Sequence, residues 1–280
     1  MKITNYFSDK HSFHYHHSVT PKSENVHMHG PEWHHQFEII YLVEGEVKYQ
    51  IGGEEYLART GDVIFVMPNE IHSLRTNNQM PYDRIVLIFD LEILRKMLAV
   101  SEIDLSDAFL TVDCPYRIIP DSLVRKYGIK DILCSIDKYH KEKDCNSLHF
   151  FSSVFSLMIS LHNLFSDGGH EPILPVSDEP IVRKVIQYID DHIYEPILLD
   201  DIAASLYVSK STLCHRFAGH MNVSVNRYIA IKKIYHAAEL IRGGMSATEA
   251  SLALGYNHYT TFYHNYKQII GSPPSTGRRG

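Results

Sequence analysis

Ile202-Ala-Ala-Ser-Leu-Tyr-Val-Ser-Lys-Ser-Thr-Leu-Cys-His-Arg-Phe217 and, about 48 positions later, Ala250-Ser-Leu-Ala-Leu-Gly-Tyr-Asn-His-Tyr-Thr-Thr-Phe-Tyr-His-Asn-Tyr266 are two versions of one pattern. Laid over one another they match Ala203 with Ser251, Leu206 with Leu254, Val208 with Tyr256, Ser209 with Asn257, Leu213 with Phe262 and Phe217 with Tyr266. One residue is inserted in the second copy, shortly after Asn257. Each copy divides into a short helix of small and aliphatic residues, a tight turn, and a second helix. Ser209 or Asn257 opens that second helix, and both side chains accept from the orphaned N–H groups of a first turn. This is a helix-turn-helix. The small residues let the second helix cross the first closely. Gly255 gives the second turn backbone freedom, whereas Tyr207 occupies the equivalent place in the first and makes that turn less ideal.

The helical period sorts the side chains. Leu213 and Phe217 point inward and leave Ser211, Cys214, His215 and Ala218 on the opposite stripe. In the second copy Phe262 and Tyr266 point inward. Thr260, Tyr263, His264 and Lys267 form the outward stripe, with Tyr259 at its edge. Histidine donates to or accepts from base edges and phosphates, and threonine contacts a thymine methyl. The DNA-binding set read from these helices is Lys210, Ser211, Thr212, Cys214, His215, Arg216, Tyr259, Thr260, Thr261, Tyr263, His264 and Lys267. Neither stripe carries arginine, so bidentate reading of guanine is missing and a larger share of phosphate and shape contacts is expected. Lys210, Arg216, Arg227, Lys232, Lys233 and Lys267 are the candidate phosphate partners, each equally readable as an ordinary surface cation. Between the copies, Val225 to Ile241 is a helical run about 26 Å long at 1.5 Å per residue. With its turns it separates two recognition helices by about one duplex turn, roughly 34 Å. Ser246-Ala-Thr-Glu249 has the spacing of a capping box.

These residues resemble the AraC/XylS family of transcription regulators, over essentially all of Asp178 to the C-terminus. The tandem units, the core Ser251-Leu-Ala-Leu-Gly-Tyr256 and the tail Tyr266-Lys-Gln-Ile-Ile-Gly-Ser-Pro-Pro274 carry the resemblance. The family usually opens that core with alanine, so Ser251 is a small-for-small exchange. It usually closes the tail with an aromatic-basic pair, where Gly277 here replaces the aromatic and Arg278 keeps the base. The resemblance implies an effector-responsive, sequence-specific DNA-binding regulator. It puts base-reading positions on Ser211, Cys214 and His215 and on Tyr259, Thr260, Thr261 and His264. It also implies double-stranded promoter or operator DNA as a partner, and RNA polymerase if the protein activates.

A chain of 280 residues is long enough for two domains with separate cores. Its net charge of −6 hides a split, −13 up to Asp201 and +7 from Ile202 onward. An acidic first part is a poor DNA surface, and a positive tail orients the approach of DNA. Cys114, Cys134, Cys145 and Cys214 show no paired spacing, so neither a zinc knuckle nor a redox motif is suggested. They read as reduced packing residues, except Cys214 on the DNA stripe. No stretch approaches about eighteen apolar residues, and Met1-Lys-Ile-Thr-Asn-Tyr6 has no apolar run behind its charge. A soluble cytoplasmic protein with no membrane partner is expected.

In the first half, Phe37 to Val43, Val47 to Ile51, Glu55 to Ala58, Val63 to Met67 and Ile85 to Phe89 read as short strands. Glu44-Gly45-Glu46, Gly52-Gly53 and Thr60-Gly61-Asp62 punctuate them as turns. Such spacing suggests an antiparallel barrel or jelly roll. The run Glu32-Trp-His34-His-Gln-Phe-Glu38, with Gly45, Gly61-Asp62 and Pro68-Asn-Glu-Ile-His72, resembles the two signature segments of the cupin superfamily, which AraC-type regulators carry ahead of their DNA-binding domain. The expected fold class is therefore α+β in two domains. Residues 1–165 form a cupin-like β-barrel (jelly roll) with two helices, 166–177 a linker, and 178–280 an all-α domain with two helix-turn-helix units.

Metal-binding cupins supply two histidines one residue apart, then glutamate, and a further histidine from the second segment. His34, Glu38 and His72 fit three of those places, and Glu32 occupies the first. Three such ligands suffice for a divalent metal with open positions; the same side chains serve equally to hydrogen-bond an effector or each other, and then no cofactor is required. A sugar or other small polar metabolite is the expected effector, held by His34, Glu38, His72, Trp33 and Tyr41, since aromatic faces pack on sugar rings while carboxylate and imidazole bind hydroxyls. His11, His14, His16, His17, His27, His29, His34 and His35 read as scattered surface residues, with a charge switch near neutral pH as the alternative. By resemblance, the segment before the barrel is an arm folding over the ligand. Asp121 to Phe165 is two amphipathic helices covering the barrel and, by resemblance, pairing two subunits as a homodimer. Two other readings stand beside this one. A metal-dependent cupin enzyme lacks a full ligand set and a second clear acid/base pair; a regulator whose barrel serves only assembly holds no ligand.

Overall fold

The computed structural model describes residues 2–9, 13–22, 29–34, 36–68, 70–76, 79–90, 116–141, 147–167 and 171–274. It separates into two compact units, one of Met1–Ile51 with Glu55–Ser177, the other of Asp178–Gly280 with Gly52–Glu54.

The first unit contains strands β1 (Lys2–Asp9), β2 (Phe13–Thr20), β3 (His29–Glu32), β4 (Phe37–Glu44), β5 (Glu46–Ile51), β6 (Glu54–Arg59), β7 (Val63–Val66), β8 (His72–Thr76), β9 (Tyr82–Phe89) and β10 (Ile118–Ile119). One sheet runs β1-β2-β9-β4-β7-β10 and a second carries β6-β5-β8-β3. Among the described residues these ladders do not close into a ring, so the expected barrel takes the jelly-roll form of two facing sheets. Strand periodicity explains the layering. On β4, Phe37, Ile39 and Tyr41 join Tyr15, Phe65, Leu87 and Phe89 under the helices. The alternate residues Ile40 and Leu42 join Val47, Tyr49, Ile51, Tyr56 and Ala58 of the second sheet. The first sheet is thus covered on both faces, and for that reason β4 and β9 read as nearly continuous apolar runs.

Helices α1 (Asp121–Lys126), α2 (Ile129–Lys141) and α3 (Ser147–Ser166) spend Leu133, Ile136, Phe150, Val154, Leu157, Met158, Leu161 and Leu164 on that sheet. Their expected break at Asp144 to Asn146 lies outside the described residues. Gly61 shows why the β6–β7 turn needs glycine. Its φ is +93°, and a Cβ there would sit 2.3 Å from Asp121 Oδ1. That aspartate's own N–H donates to Asp62 Oδ1 at 3.0 Å, fixing α1 to the turn.

The N-terminal segment departs from expectation. It is not a free arm: β1 and β2 are the outer strands of the first sheet, β2 pairing along β9 from Phe13↔Phe89 to Thr20↔Tyr82. Nor are His14, His16 and His17 scattered surface residues, for all are partly buried. His11, His27 and His35 lie outside the described residues. On the helix side of β2, His17 Nε2 donates to Asp83 at 2.7 Å and Nδ1 lies 2.9 Å from Asp137 of α2, which also accepts from Tyr15 Oη at 2.7 Å. The two carboxylates outweigh burial and push the His17 pKa up to about 9. A raised pKa contributes stability that is complete below the unfolded value, near 6.5, and lost as pH rises through 9. Wild type should therefore lose about 1 to 2 kcal/mol more than His17→Gln between those limits, after allowing for solvent screening at partly exposed Asp83. Thermal melts of both proteins across that range check it, and parallel profiles would count against the network.

The second unit contains α4 (Pro180–Asp191), α5 (Leu199–Ser205), α6 (Lys210–Met221), α7 (Val225–Arg242), α8 (Ala247–Ala253) and α9 (Tyr259–Ile270). Pro180 stands at the start of α4 and Ser209 caps α6, accepting from Thr212 N at 3.0 Å. Ser246 and Glu249 form the expected capping box of α8. The expected Asn257 cap does not form. His258 occupies that position without a side-chain hydrogen bond, because the inserted residue starts α9 one place later. Leu213 and Phe217 are fully buried, as are Phe262 and Ala250, with Ser251 1% exposed in the alanine place. Gly277 and Arg278 lie outside the described residues. Among the described residues no helix is long and apolar enough to cross a membrane.

Candidate functional site

Both helix-turn-helix units present their second helix outward. On α6, Ser211, Thr212, His215, Arg216 and Ala218 are exposed and Cys214 is half-buried. On α9, Tyr259, Thr260, Thr261, His264 and Lys267 are exposed and Tyr263 is half-buried. Inward Leu213 and Phe217, and Phe262 and Tyr266, fix these faces. Two of the cations on α6 already have partners: Lys210 lies 3.0 Å from Asp200 and Arg216 3.2 Å from Glu179. Both pairs are solvated, so little is lost when a phosphate replaces the carboxylate. Arg227 donates to Gln268 at 2.9 Å.

Lys232 and Lys233 are not phosphate partners. Lys232 is 8% exposed and 2.8 Å from Asp190 of α4. Lys233 is 5% exposed; its Nζ donates to the Leu254 carbonyl at 2.7 Å and to the Glu195 carbonyl. Burial lowers its pKa to about 8, against the pull of Glu195. The turn after α4 and the turn after α8 therefore meet on one ammonium. Gly255 completes the contact: its φ is +68°, and a Cβ would lie 2.7 Å from both Glu195 C and Pro196 N. Beyond the α7 spacer, this second tie joins the two helix-turn-helix units. The equivalent turn residue in the first unit, Tyr207, has φ +55° and is 96% exposed.

In the first unit the strand alternation that sends Phe37, Ile39 and Tyr41 to the helices sends Glu38 between the sheets. Tyr41 is therefore not with the other candidate effector residues. It is 4% exposed under the helices, where burial pushes its hydroxyl up to about 12. Residues three apart on a strand cannot share a face. Glu38, His34 and His72 do come together. His72 Nε2 and His34 Nε2 lie 3.1 and 3.3 Å from Glu38 Oε2. The Nδ1 atoms face backbone carbonyls instead, His34 toward Gln36 at 2.8 Å and His72 toward Glu70 at 3.0 Å. Burial raises the Glu38 carboxyl, but the two imidazoles outweigh it and hold it well below the usual carboxylate range. Burial lowers His72, and Glu38 more than restores it, for a net rise. Trp33 is half-buried in the segment leading to this cluster.

The sequence reading missed the far side of this interior. His14 and Glu38 both pair with Ile88 of β9, from opposite sides, so they share a face two strand spacings apart, about 10 Å. His14 Nε2 and His16 Nδ1 are 3.1 Å apart. Burial lowers both rings, His16 to about 4 with His14 and Arg84 adding to the effect. On the same face Arg84 donates to Thr20 Oγ1 at 2.9 Å and lies 4.2 Å over the Tyr82 ring. The alternation of His14, His16, Ser18 and Thr20 with Tyr15, His17 and Val19 is the signal that marks β2 as a strand with one polar face.

Residues 202–280 match a family described as a helix-turn-helix domain, and residues 16–127 one described as an AraC-like ligand binding domain. The HTH-type transcriptional regulator YfiF of Bacillus subtilis (strain 168) is 25% identical over 252 residues, 88% of this chain and 77% of that protein. YdeC of the same organism, also named an HTH-type transcriptional regulator, is 22% identical over 263 residues, 91% of this chain and 88% of that protein. Wild-type ToxT from Vibrio cholerae strain SCE256, solved with unsaturated fatty acid bound, is 14% identical over 96% of each chain with a TM-score of 0.42. The two domain matches fall, in order, on the sheet sandwich and on the paired helix-turn-helix units, and the relatives run nearly the length of the chain. The chain thus joins an AraC-like ligand binding domain to a helix-turn-helix domain, the two-domain plan of an AraC-type transcriptional regulator.

Proposed function

We propose that this regulator reads promoter DNA with the outward faces of α6 and α9. Ser211, Cys214 and His215 are the base readers of the first helix, and Tyr259, Thr260, Thr261 and His264 those of the second. Lys210, Arg216 and Lys267 hold phosphates. The observation that carries this reading is the pair of exposed second helices joined by both the α7 spacer and the Lys233 contact. Removing a base contact costs about 1 to 3 kcal/mol, or roughly ten- to a hundredfold in affinity. Loss of binding to the chain's own upstream DNA by at least about a hundredfold is expected for the His215→Ala, His264→Ala double variant. Its melting temperature should not move, since both side chains are exposed. Wild-type affinity in that variant, measured by fluorescence anisotropy at fixed salt, would remove these helices as the readers.

The effector is a small polar metabolite such as a sugar, bound between the sheets where Glu38, His34 and His72 face His14 and His16 across Ile88. Carboxylate and imidazole groups suit hydroxyls, and a ligand acts on DNA binding only through different affinity for two arrangements of the protein. The relatives' names favour a regulator over a catalyst. Pairing of two chains through residues 121–165 draws support from the family resemblance and from the outward row Ser152, Ser156, Ile159 and Asn163 of α3, which the sheet does not use. Promoter DNA as target places the protein in the cytoplasm, with RNA polymerase as a further partner where it activates.

A further inference from the structure

We infer that a cleft in the second unit, between the turn after α4 and the joint of α7 with α8, binds a small organic cation, an amine or guanidine carried on an alkyl stem. The segment from Ile202 to Gly280 holds nine lysines and arginines and only two acidic residues, Glu239 and Glu249. Both line this one cleft, although they come from different helices, α7 and α8. Its volume is about 540 Å³, within the range of small-molecule sites. Among the described residues none that lines it belongs to α6 or α9. The cleft is therefore separate from the proposed DNA-reading faces, and its two carboxylates would repel phosphate.

Helix electrostatics accounts for one of these acids and not the other. Glu249 stands in the first turn of α8, where a carboxylate is favoured, and its Oε2 accepts from Ser246 N at 2.9 Å in the capping box. Glu239 stands in the last turn of α7, which ends at Arg242. A carboxylate there faces the negative end of the helix dipole and weakens the helix. The neighbouring imidazole does not offset it. His236 Nδ1 is 4.0 Å from Glu239 Oε2, and burial lowers the His236 pKa against the pull of that glutamate. The ring is thus neutral at pH 7 and brings no positive charge of its own to the cleft.

The remaining walls suit the rest of such a ligand. Tyr194, in the turn after α4, is 57% exposed, and its ring centroid lies 6.1 Å from that of His236. A phenol face attracts an ammonium or guanidinium group placed over it. Leu240 and Met245 are half-buried and form an apolar lining. Methylene groups lie along such a surface while the charged end stays among carboxylates, as the stem of a lysine does.

Calorimetric titration of the full-length chain with agmatine and with cadaverine tests the site, with pentanediol as the uncharged match of cadaverine. One saturable equivalent is expected for each amine and none for the diol. Affinity should fall about three- to tenfold in Glu239→Gln and in Glu249→Gln, and about two- to fivefold in Tyr194→Ala. Glutamine also serves a capping box, and Glu239 and Tyr194 are exposed, so all three variants keep the fold. Amide shifts of Gly243 and Met245 on addition of amine locate the ligand. Heats that never saturate at one equivalent, equal binding of the diol, or unchanged affinity in the Glu239→Gln, Glu249→Gln double variant would each overturn the site. Amide shifts confined to the first unit would do so as well.

Discussion

Gly255→Ala should cost the protein about 3 to 5 kcal/mol and abolish tight DNA binding. Two effects add. A non-glycine residue in the left-handed region costs about 1 to 2 kcal/mol, and Gly255 has φ +68°. The new Cβ would then lie 2.7 Å from Glu195 C and Pro196 N, both backbone atoms that cannot rotate aside. The turn after α4 must retreat from the turn after α8, and the two Lys233 bonds that bridge them stretch or break. Urea unfolding of the full-length chain gives the stability change, and anisotropy gives the affinity. The companion substitution Tyr207→Gly should do the opposite. Tyr207 has φ +55° but is 96% exposed and meets no such wall, so the change should stabilise by up to about 1 kcal/mol. Equal effects from both substitutions would show that the contact with residues 195 and 196 does not matter.

Lys233→Met should destabilise by about 2 to 3 kcal/mol. Methionine fills the space of the lysine stem but leaves the Leu254 and Glu195 carbonyls without their donor. A buried acceptor so stranded costs about 1 to 3 kcal/mol, partly offset by no longer burying an amine. Affinity for DNA should drop more than stability alone explains, because α6 and α9 are then related through α7 only. Lys233→Arg separates the causes. It keeps the charge without fitting the two-carbonyl geometry, so it should behave like Lys233→Met. If instead Lys233→Met bound DNA as wild type does, the lysine would have no part in setting the two recognition helices.

What was legible in the sequence was whatever depends on near neighbours. Ser209 and the Ser246–Glu249 pair announce their helices because a cap is settled within one turn, and Leu213, Phe217, Phe262 and Tyr266 mark inward faces by spacing alone. The inserted residue after Asn257 moved the second cap to His258, where pattern matching had kept the register. Lys232 and Lys233 were opaque for a different reason. A lysine on a helix looks solvated until the elements packed around it are known, and α7 is enclosed by both helix-turn-helix units. In the first half, His34, Glu38 and His72 were found by resemblance, and the fold brings them together. Tyr41 stands apart from that cluster because strand parity turns it to the opposite face from Glu38, toward the helices. The strand holding His14 and His16 escaped notice because its polar face and its aromatic face differ little in hydropathy.

That strand has a mechanical property of its own. In β2, His14 and His16 look toward the second sheet while Tyr15 and His17 grip Asp137 of α2 on the reverse side. A pleated ribbon is a single plank, and whatever nudges one surface carries the fasteners on its underside along. Cargo lodged against the two histidines would thus tug on α2 through two screws already driven, making the plank a lever between occupancy and the helical roof.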